Sequence, residues 1–283
     1  MRMHAILSLV FVTTAFTHLV PQNLSTNRAP AILERAVPAN GISSIKVATI
    51  DIPGKDKLDS GHCTANQIKQ LNITFIPEAR KMLENAIKAL AYKDVEKSPA
   101  YKDWTPLDGL RLPLEATPKT LTPGTLDPTA VTFTCWPQED IRCGRYGLVA
   151  GTKNPSFPEN TNKDFKGTLI GLCPRFFNLP QLDGVLKQFD PGNANTLVSS
   201  GALTLVHEMQ HVLLATGKER WCDDKAYNTA VGRDQVVHGK LEKGLNDTMK
   251  LRNTQNMALF ALDITANPER GCAPAGKKWC CWC

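Results

Sequence analysis

The stretch Thr204-Leu205-Val206-His207-Glu208-Met209-Gln210-His211-Val212-Leu213-Leu214-Ala215 decides the fold. No Pro or Gly interrupts it, Ser199 and Ser200 stand ready to cap its start, and Gly217 stands ready to end it. The pattern predicts a single buried helix. Residues four apart in a helix lie one turn apart and roughly 40° around the axis. The imidazoles of His207 and His211 therefore leave one face and can reach one metal ion. Glu208 leaves roughly 100° away from His207, which disfavours it as a further ligand and frees its carboxylate to take a proton from water activated by the metal. The apolar flanks Leu205, Val206, Val212, Leu213 and Leu214 supply the rigid support a metal site needs. The plain alternative is a core helix whose two histidines are merely hydrogen-bonded. The setting of the motif in a well-delimited helix argues against it.

A length of 283 residues allows one large domain or two small ones, and 42% hydrophobic with 21% charged residues fits a globular chain with a real core. The net charge of +6 comes from scattered Lys and Arg without a long basic run, which leaves a nucleic-acid role without support. Arg2 followed by the apolar run Ala5 to Val12, fading by Phe16, is too short to span a membrane and reads as a secretory signal peptide. The expectation is a secreted protein with no membrane attachment once the leader is cut. Nine cysteines agree with an oxidising compartment. Nine is odd, so at least one is free, intermolecular or metal-bound. The sequons at Asn23, Asn72 and Asn246 point the same way.

Residues 21–58 read as a linker or short pro-segment, although Ile45, Val47, Ile50 and Ile52 alternate loosely as in a strand. From Thr64 to Tyr92 apolar residues recur at three- and four-residue steps, predicting a long helix that Pro77 kinks or splits. Cys63, just before it, would tie that end elsewhere. Residues 98–130, rich in Pro, Thr, Lys and Asp, read as a surface connection. Three β-like runs follow, Val131–Cys135, Arg145–Ala150 and Thr168–Cys173, with Cys135 and Cys143 closing a small loop or one of them joining Cys173. A sheet beside the motif helix would give an extended peptide an edge to lie along. Asn253 to Ile264 reads as a last helix, and residues 271–283 form a cysteine-rich tail ending in Cys280, Cys281 and Cys283.

Two histidines do not hold a catalytic zinc; three protein ligands and an open position are usual. A metzincin would place a histidine where Gly217 stands, and the helical glutamate of a thermolysin-like site has only Glu242 to offer, beside Gly244 and Asn246. Downstream, Asp224-Lys225-Ala226-Tyr227 resembles the Asp-x-x-Tyr core of the GTxDxxYG motif of deuterolysins, the aspzincin family of fungal secreted zinc endopeptidases. Cys173-Pro174-Arg175-Phe176-Phe177 and Asn253 to Ala261 are similar to that family as well, so the resemblance spans about residues 60–265. Trp221, Cys222 and Asn228 depart from it, standing where the family has Gly, Thr and Gly. The resemblance implies Zn2+ held by His207, His211 and Asp224, Glu208 as general base and Tyr227 as hydrogen-bond donor to the developing oxyanion. Asp223 is a rival ligand, Glu219 and Asp234 are further acids that could shape a pocket for a basic side chain, and His62 and His238 read as structural or exposed.

The resulting expectation is an α+β, zincin-like fold, mostly helical with a small sheet beside the motif helix. Its segments are a signal peptide over 1–20, the linker or pro-segment over 21–58, a metallopeptidase domain over 59–270 and the tail over 271–283. The expected function is that of a monomeric zinc metalloendopeptidase acting on proteins or peptides. The alternative is a secreted zinc-capturing surface antigen of the same fold with little or no proteolysis, for which the cysteine tail and the departures from the family's glycines are the motives.

Overall fold

Ile45 and Val47 alternate with half-buried neighbours in a strand that is paired on both sides within a sheet. The computed structural model describes residues 42–50, 61–92, 94–104, 117–122, 126–144, 147–154, 167–193, 197–217, 222, 224 and 253–272. The strands are β1 (Ser44–Ala48), β2 (Lys119–Leu121), β3 (Ala130–Cys135), β4 (Ala150–Lys153) and β5 (Thr168–Leu172), in the order β2-β1-β3-β5-β4. β1, β2, β3 and β5 run parallel, whereas β4 pairs antiparallel with β5 and forms an edge. β3 and β5 are buried at every position, as central parallel strands covered on both faces must be. β1 lies inside the stretch that reads as a linker, yet it is paired on both sides and belongs to the sheet.

The long helical pattern is realised in three parts. Thr64 caps α1 (Ala65–Gln70) in a capping box with Gln67, a π-helical turn spans Leu71–Phe75, and α2 (Ile76–Leu90) follows. Pro77 explains the sequence of events: it cannot bond back to residue 73, and the wider π turn absorbs the missing bond. The expected surface connection over 98–130 is corrected. It contains α3 (Pro99–Trp104), started by Ser98, whose hydroxyl accepts from Tyr101 N, and it contains β2. Trp104 is fully buried there. A second correction concerns the run Arg145–Ala150. The strand begins at Ala150, where pairing with Leu172 starts, and continues to Lys153.

The remaining helices are α4 (Leu182–Leu186), α5 (Gly201–His211), α6 (Leu213–Thr216) and α7 (Thr254–Ala266). α7 is the axis of the core: every residue from Thr254 to Ile264 is buried, and α2, α3 and α5 pack around it. The β4–β5 corner is covered by Trp136, whose ring lies so close over Gly171 that a Cβ there would sit 1.9 Å from it. Only glycine fits at that position. Two disulfides whose cysteines both lie among the described residues pin this part of the fold. Cys63–Cys135 ties the start of α1 to the end of β3, and Cys143–Cys173 ties the turn before β4 to the end of β5. Cys143 thus joins Cys173 and closes no loop with Cys135. The result is the expected α+β fold, with a five-stranded sheet beside the motif helix. No helix among the described residues is long and apolar enough to cross a membrane.

Candidate metal centre

Helix α5 carries the HExxH stretch as the sequence predicts, and Ser200 rather than Ser199 caps it, its hydroxyl accepting from Leu203 N at 3.0 Å. The helix ends sooner than its composition suggests. At Val212 the backbone turns extended, with φ −75° and ψ 109°, and Val212 N bonds to Met209 O. Asn154, buried just beyond β4, makes the break possible: its Nδ2 donates to His211 O at 2.7 Å and its Oδ1 accepts from Leu213 N at 3.1 Å. One amide side chain thereby supplies the two backbone bonds that a continuous helix would have made. The short α6 then stops at Gly217, whose φ of +77° is the left-handed conformation that glycine adopts freely.

His207 and His211 leave the same face of α5, with ring centroids 5.2 Å apart. Each is fixed through its inner nitrogen. His207 Nδ1 lies 2.8 Å from Gln255 Oε1 on α7, and His211 Nδ1 lies 3.1 Å from the carbonyl oxygen of Cys222. A carbonyl only accepts, so His211 carries its proton on Nδ1, and the neutral ring presents a lone pair on Nε2. The Gln255 oxygen sets the same tautomer for His207. Both Nε2 atoms point at Asp224 Oδ1, at 3.1 Å and 3.3 Å. Thr254 Oγ1 donates to that same oxygen at 2.7 Å and turns the carboxylate toward the pair. One ligand atom from each of His207, His211 and Asp224 lies within 4.8 Å of the others.

The electrostatics call for a cation. Two imidazole nitrogens and a carboxylate oxygen converge on one point, an arrangement that a proton or a metal ion among them stabilises. Without a metal, protons take that role. Burial pulls His211 down, but its hydrogen bond to Asp224 and the charges of Glu208 and Asp224 win, and its pKa is raised. Burial pushes Asp224 up, but hydrogen bonds from His207 and His211 outweigh it, and its pKa is lowered. The donor set of two histidine nitrogens and one carboxylate oxygen, with acceptors fixing both tautomers, suits zinc and leaves a fourth position open.

Glu208 is buried beside this cluster and is held by strand β4: Thr152 Oγ1 donates to its Oε2 at 2.7 Å. A cleft of about 400 Å3 opens in front of the site. His207, Glu208 and Asp224 form one wall and Leu148, Val149 and Ala150, leading into edge strand β4, form another. Arg175 borders the same cleft, with its Nε donating to Leu148 O at 2.7 Å.

The structure therefore brings together four of the five residues singled out by sequence: His207, His211, Glu208 and Asp224. Tyr227 lies outside the described residues, as do Asp223, Glu219, Asp234, His238 and Glu242. His62 is described and is exposed. Sequence reasoning missed Thr152, Asn154, Thr254 and Gln255. For the last two a signal existed. Asn253-Thr254-Gln255-Asn256 is a polar tetrad at the head of an otherwise apolar helix, and all four are buried.

No protein-family model matches the chain, and no curated protein matches it. Among solved structures it is similar to a zinc peptidase from Grifola frondosa, at 16% sequence identity and a TM-score of 0.39, over 71% of this chain and 97% of that one. At that level the functional reading rests on the geometry of the site itself.

Proposed function

We propose that the protein is a zinc metalloendopeptidase that cleaves peptide bonds within proteins or peptides. The observation that carries the reading is the convergence of His207 Nε2, His211 Nε2 and Asp224 Oδ1, with both Nδ1 atoms committed to acceptors and a buried carboxylate alongside. Zinc held by His207, His211 and Asp224 would supply a Lewis acid that lowers the pKa of water toward about 7 and polarises the scissile carbonyl.

The chain's own groups do the rest. An extended substrate lies along the free edge of β4, which among the described residues pairs only with β5. This presents the scissile bond to the cleft that Glu208 lines. Glu208 accepts the proton of the attacking water and passes it to the departing amine. Tyr227 donates a hydrogen bond to the oxyanion, a contribution of roughly 3 kcal/mol for a well-placed donor. In this reading residues 1–20 direct export, the residues from 21 up to β1 separate the leader from the enzyme, and the sequons at Asn23, Asn72 and Asn246 carry glycans; Asn72 is exposed. The zinc-capture reading has no use for a second carboxylate, that of Glu208, at the mouth of a cleft.

The test is zinc analysis of the purified protein together with casein cleavage, with and without a chelator. One zinc per chain and cleavage abolished by the chelator and restored by zinc are expected. Tight zinc without cleavage favours capture, and absence of zinc removes both readings.

A further inference from the structure

We infer that Thr152, on edge strand β4, is the positioning residue for Glu208, holding one oxygen of that carboxylate so that the other handles the proton. The inference rests on the peptidase reading of the same site and deepens it.

Thr152 Oγ1 stands 2.7 Å from Glu208 Oε2 and 3.1 Å from the Glu208 carbonyl oxygen. A hydroxyl has one proton, and the nearer, charged acceptor takes it. The carbonyl is within reach for a definite reason. Val212 N bonds to Met209 O, so Glu208 O is released from the helical ladder where α5 ends. Thr152 therefore faces Glu208 at both its side chain and its backbone, and the break that Asn154 holds open makes this double approach possible. Thr152 and Asn154 are two residues apart and project from the same face of the chain, which is the face turned to α5. The intervening Lys153 and the preceding Gly151 belong to the other face, where Gly151 lies against the Trp136 ring.

The consequence for catalysis is mechanical. Glutamate has three rotatable bonds, and its carboxylate needs an anchor to stay within reach of a reacting water. Thr152 occupies Oε2, while no described residue bonds Oε1 and the side chain borders the cleft. Oε1 is thus the atom left for proton transfer. The anchor also sits on the strand along which an extended substrate would pair, so substrate and base are aligned by one element. A threonine that merely fastened strand to helix would be replaceable at little cost to turnover. A threonine that positions the base is not.

The test compares full-length wild type, Thr152→Val and Thr152→Ser, each loaded with zinc, for zinc content, melting temperature and steady-state cleavage of one peptide substrate. Valine keeps the shape and removes the hydroxyl; serine keeps the hydroxyl. The expected result is equal zinc content in all three, a fall in kcat of about ten- to hundredfold in Thr152→Val with KM within about twofold, and recovery in Thr152→Ser to within about threefold of wild type. A crystal structure of Thr152→Val is expected to show the Glu208 carboxylate moved from its wild-type position. Wild-type kcat in Thr152→Val, or failure of serine to restore it, overturns the inference. A parallel loss of zinc also overturns it, since Thr152 would then support the metal helix rather than the base. If valine melts the fold, Thr152→Ala gives the same comparison with the same criteria. A wild type that does not cleave at all overturns the proposed function first, and this inference with it.

Discussion

Helix α7 buries a polar cluster at each end, and the two clusters are built differently. At its tail Asp263, fully buried, receives Trp104 Nε1 at 2.9 Å, Asn267 Nδ2 at 3.1 Å and Arg270 Nε at 3.0 Å. Arg270 bridges on to Asp103 as well. Every charge there meets an opposite charge or a donor from the chain itself. At its head Thr254 and Gln255 serve Asp224 and His207, but the centre they organise contains two imidazole lone pairs and a carboxylate facing one another. The difference teaches how to separate structure from function in a buried polar network. A network whose groups pair with one another holds the fold, while one whose ligand-type atoms converge on one point suits a metal ion.

The largest effect expected separates the two ends by chemistry. Glu208→Gln leaves zinc content and melting temperature near wild type but lowers kcat by about 10^3-fold, the scale of a lost general base. Peptide cleavage at full rate in that variant would remove Glu208 from the mechanism. The converse holds at the tail. Asp263→Ala strips the buried Trp104 and Arg270 groups of their partner and is expected to cost about 3 kcal/mol in urea unfolding, with one zinc still bound per chain. Loss of zinc in that variant would show the two clusters to be one.

A smaller effect tests whether the head of α7 tunes the metal. Gln255→Leu removes the acceptor on His207 Nδ1 and is expected to weaken zinc binding by about ten- to hundredfold in a competition titration, with little change in the metal-free melting temperature. The smallest effect supplies a baseline at the surface. Lys46 and then Thr129 hold the Asp127 carboxyl down, to about 2 from the usual 3.8. A depressed carboxylate stabilises the fold above its unfolded pKa and loses that contribution as pH falls through its folded one. Asp127→Asn is therefore expected to cost about 1 kcal/mol near pH 6, the partial exposure of the pair discounting it, and nothing below about pH 2. A cost that persists in acid would point to packing rather than charge.

How much of this was legible in the sequence divides along the same line. The start of the motif helix with its Ser200 cap, the helical stretch around Pro77, the last helix and the strands at β3 and β5 are local patterns of apolar spacing and turn chemistry, and they appear where the sequence places them. Helix α3 had its own signal in Ser98-Pro99, a cap followed by proline in the first turn, hidden by the polar composition around it. The break at Val212 had none, because the amide that makes it belongs to Asn154, far away in the chain. The same is true of Thr152. The two histidines and Glu208 were legible because helical periodicity places them. Asp224 was legible only through the resemblance of Asp-x-x-Tyr to a known motif, since nothing local fixes where a residue beyond Gly217 returns. Groups that orient a site from another element leave no periodic trace, and of these only Thr254 and Gln255 left a sign, as part of a polar tetrad heading an apolar helix.

The central claim is that Asp224 completes a zinc site begun by His207 and His211. The most direct measurement is zinc titration of the metal-free wild type beside Asp224→Ala, followed by calorimetry at neutral pH. One tight site per chain in the wild type, weakened by at least about a hundredfold in Asp224→Ala, is the result predicted. Equal affinity in the two proteins, or no tight site in the wild type, would contradict it.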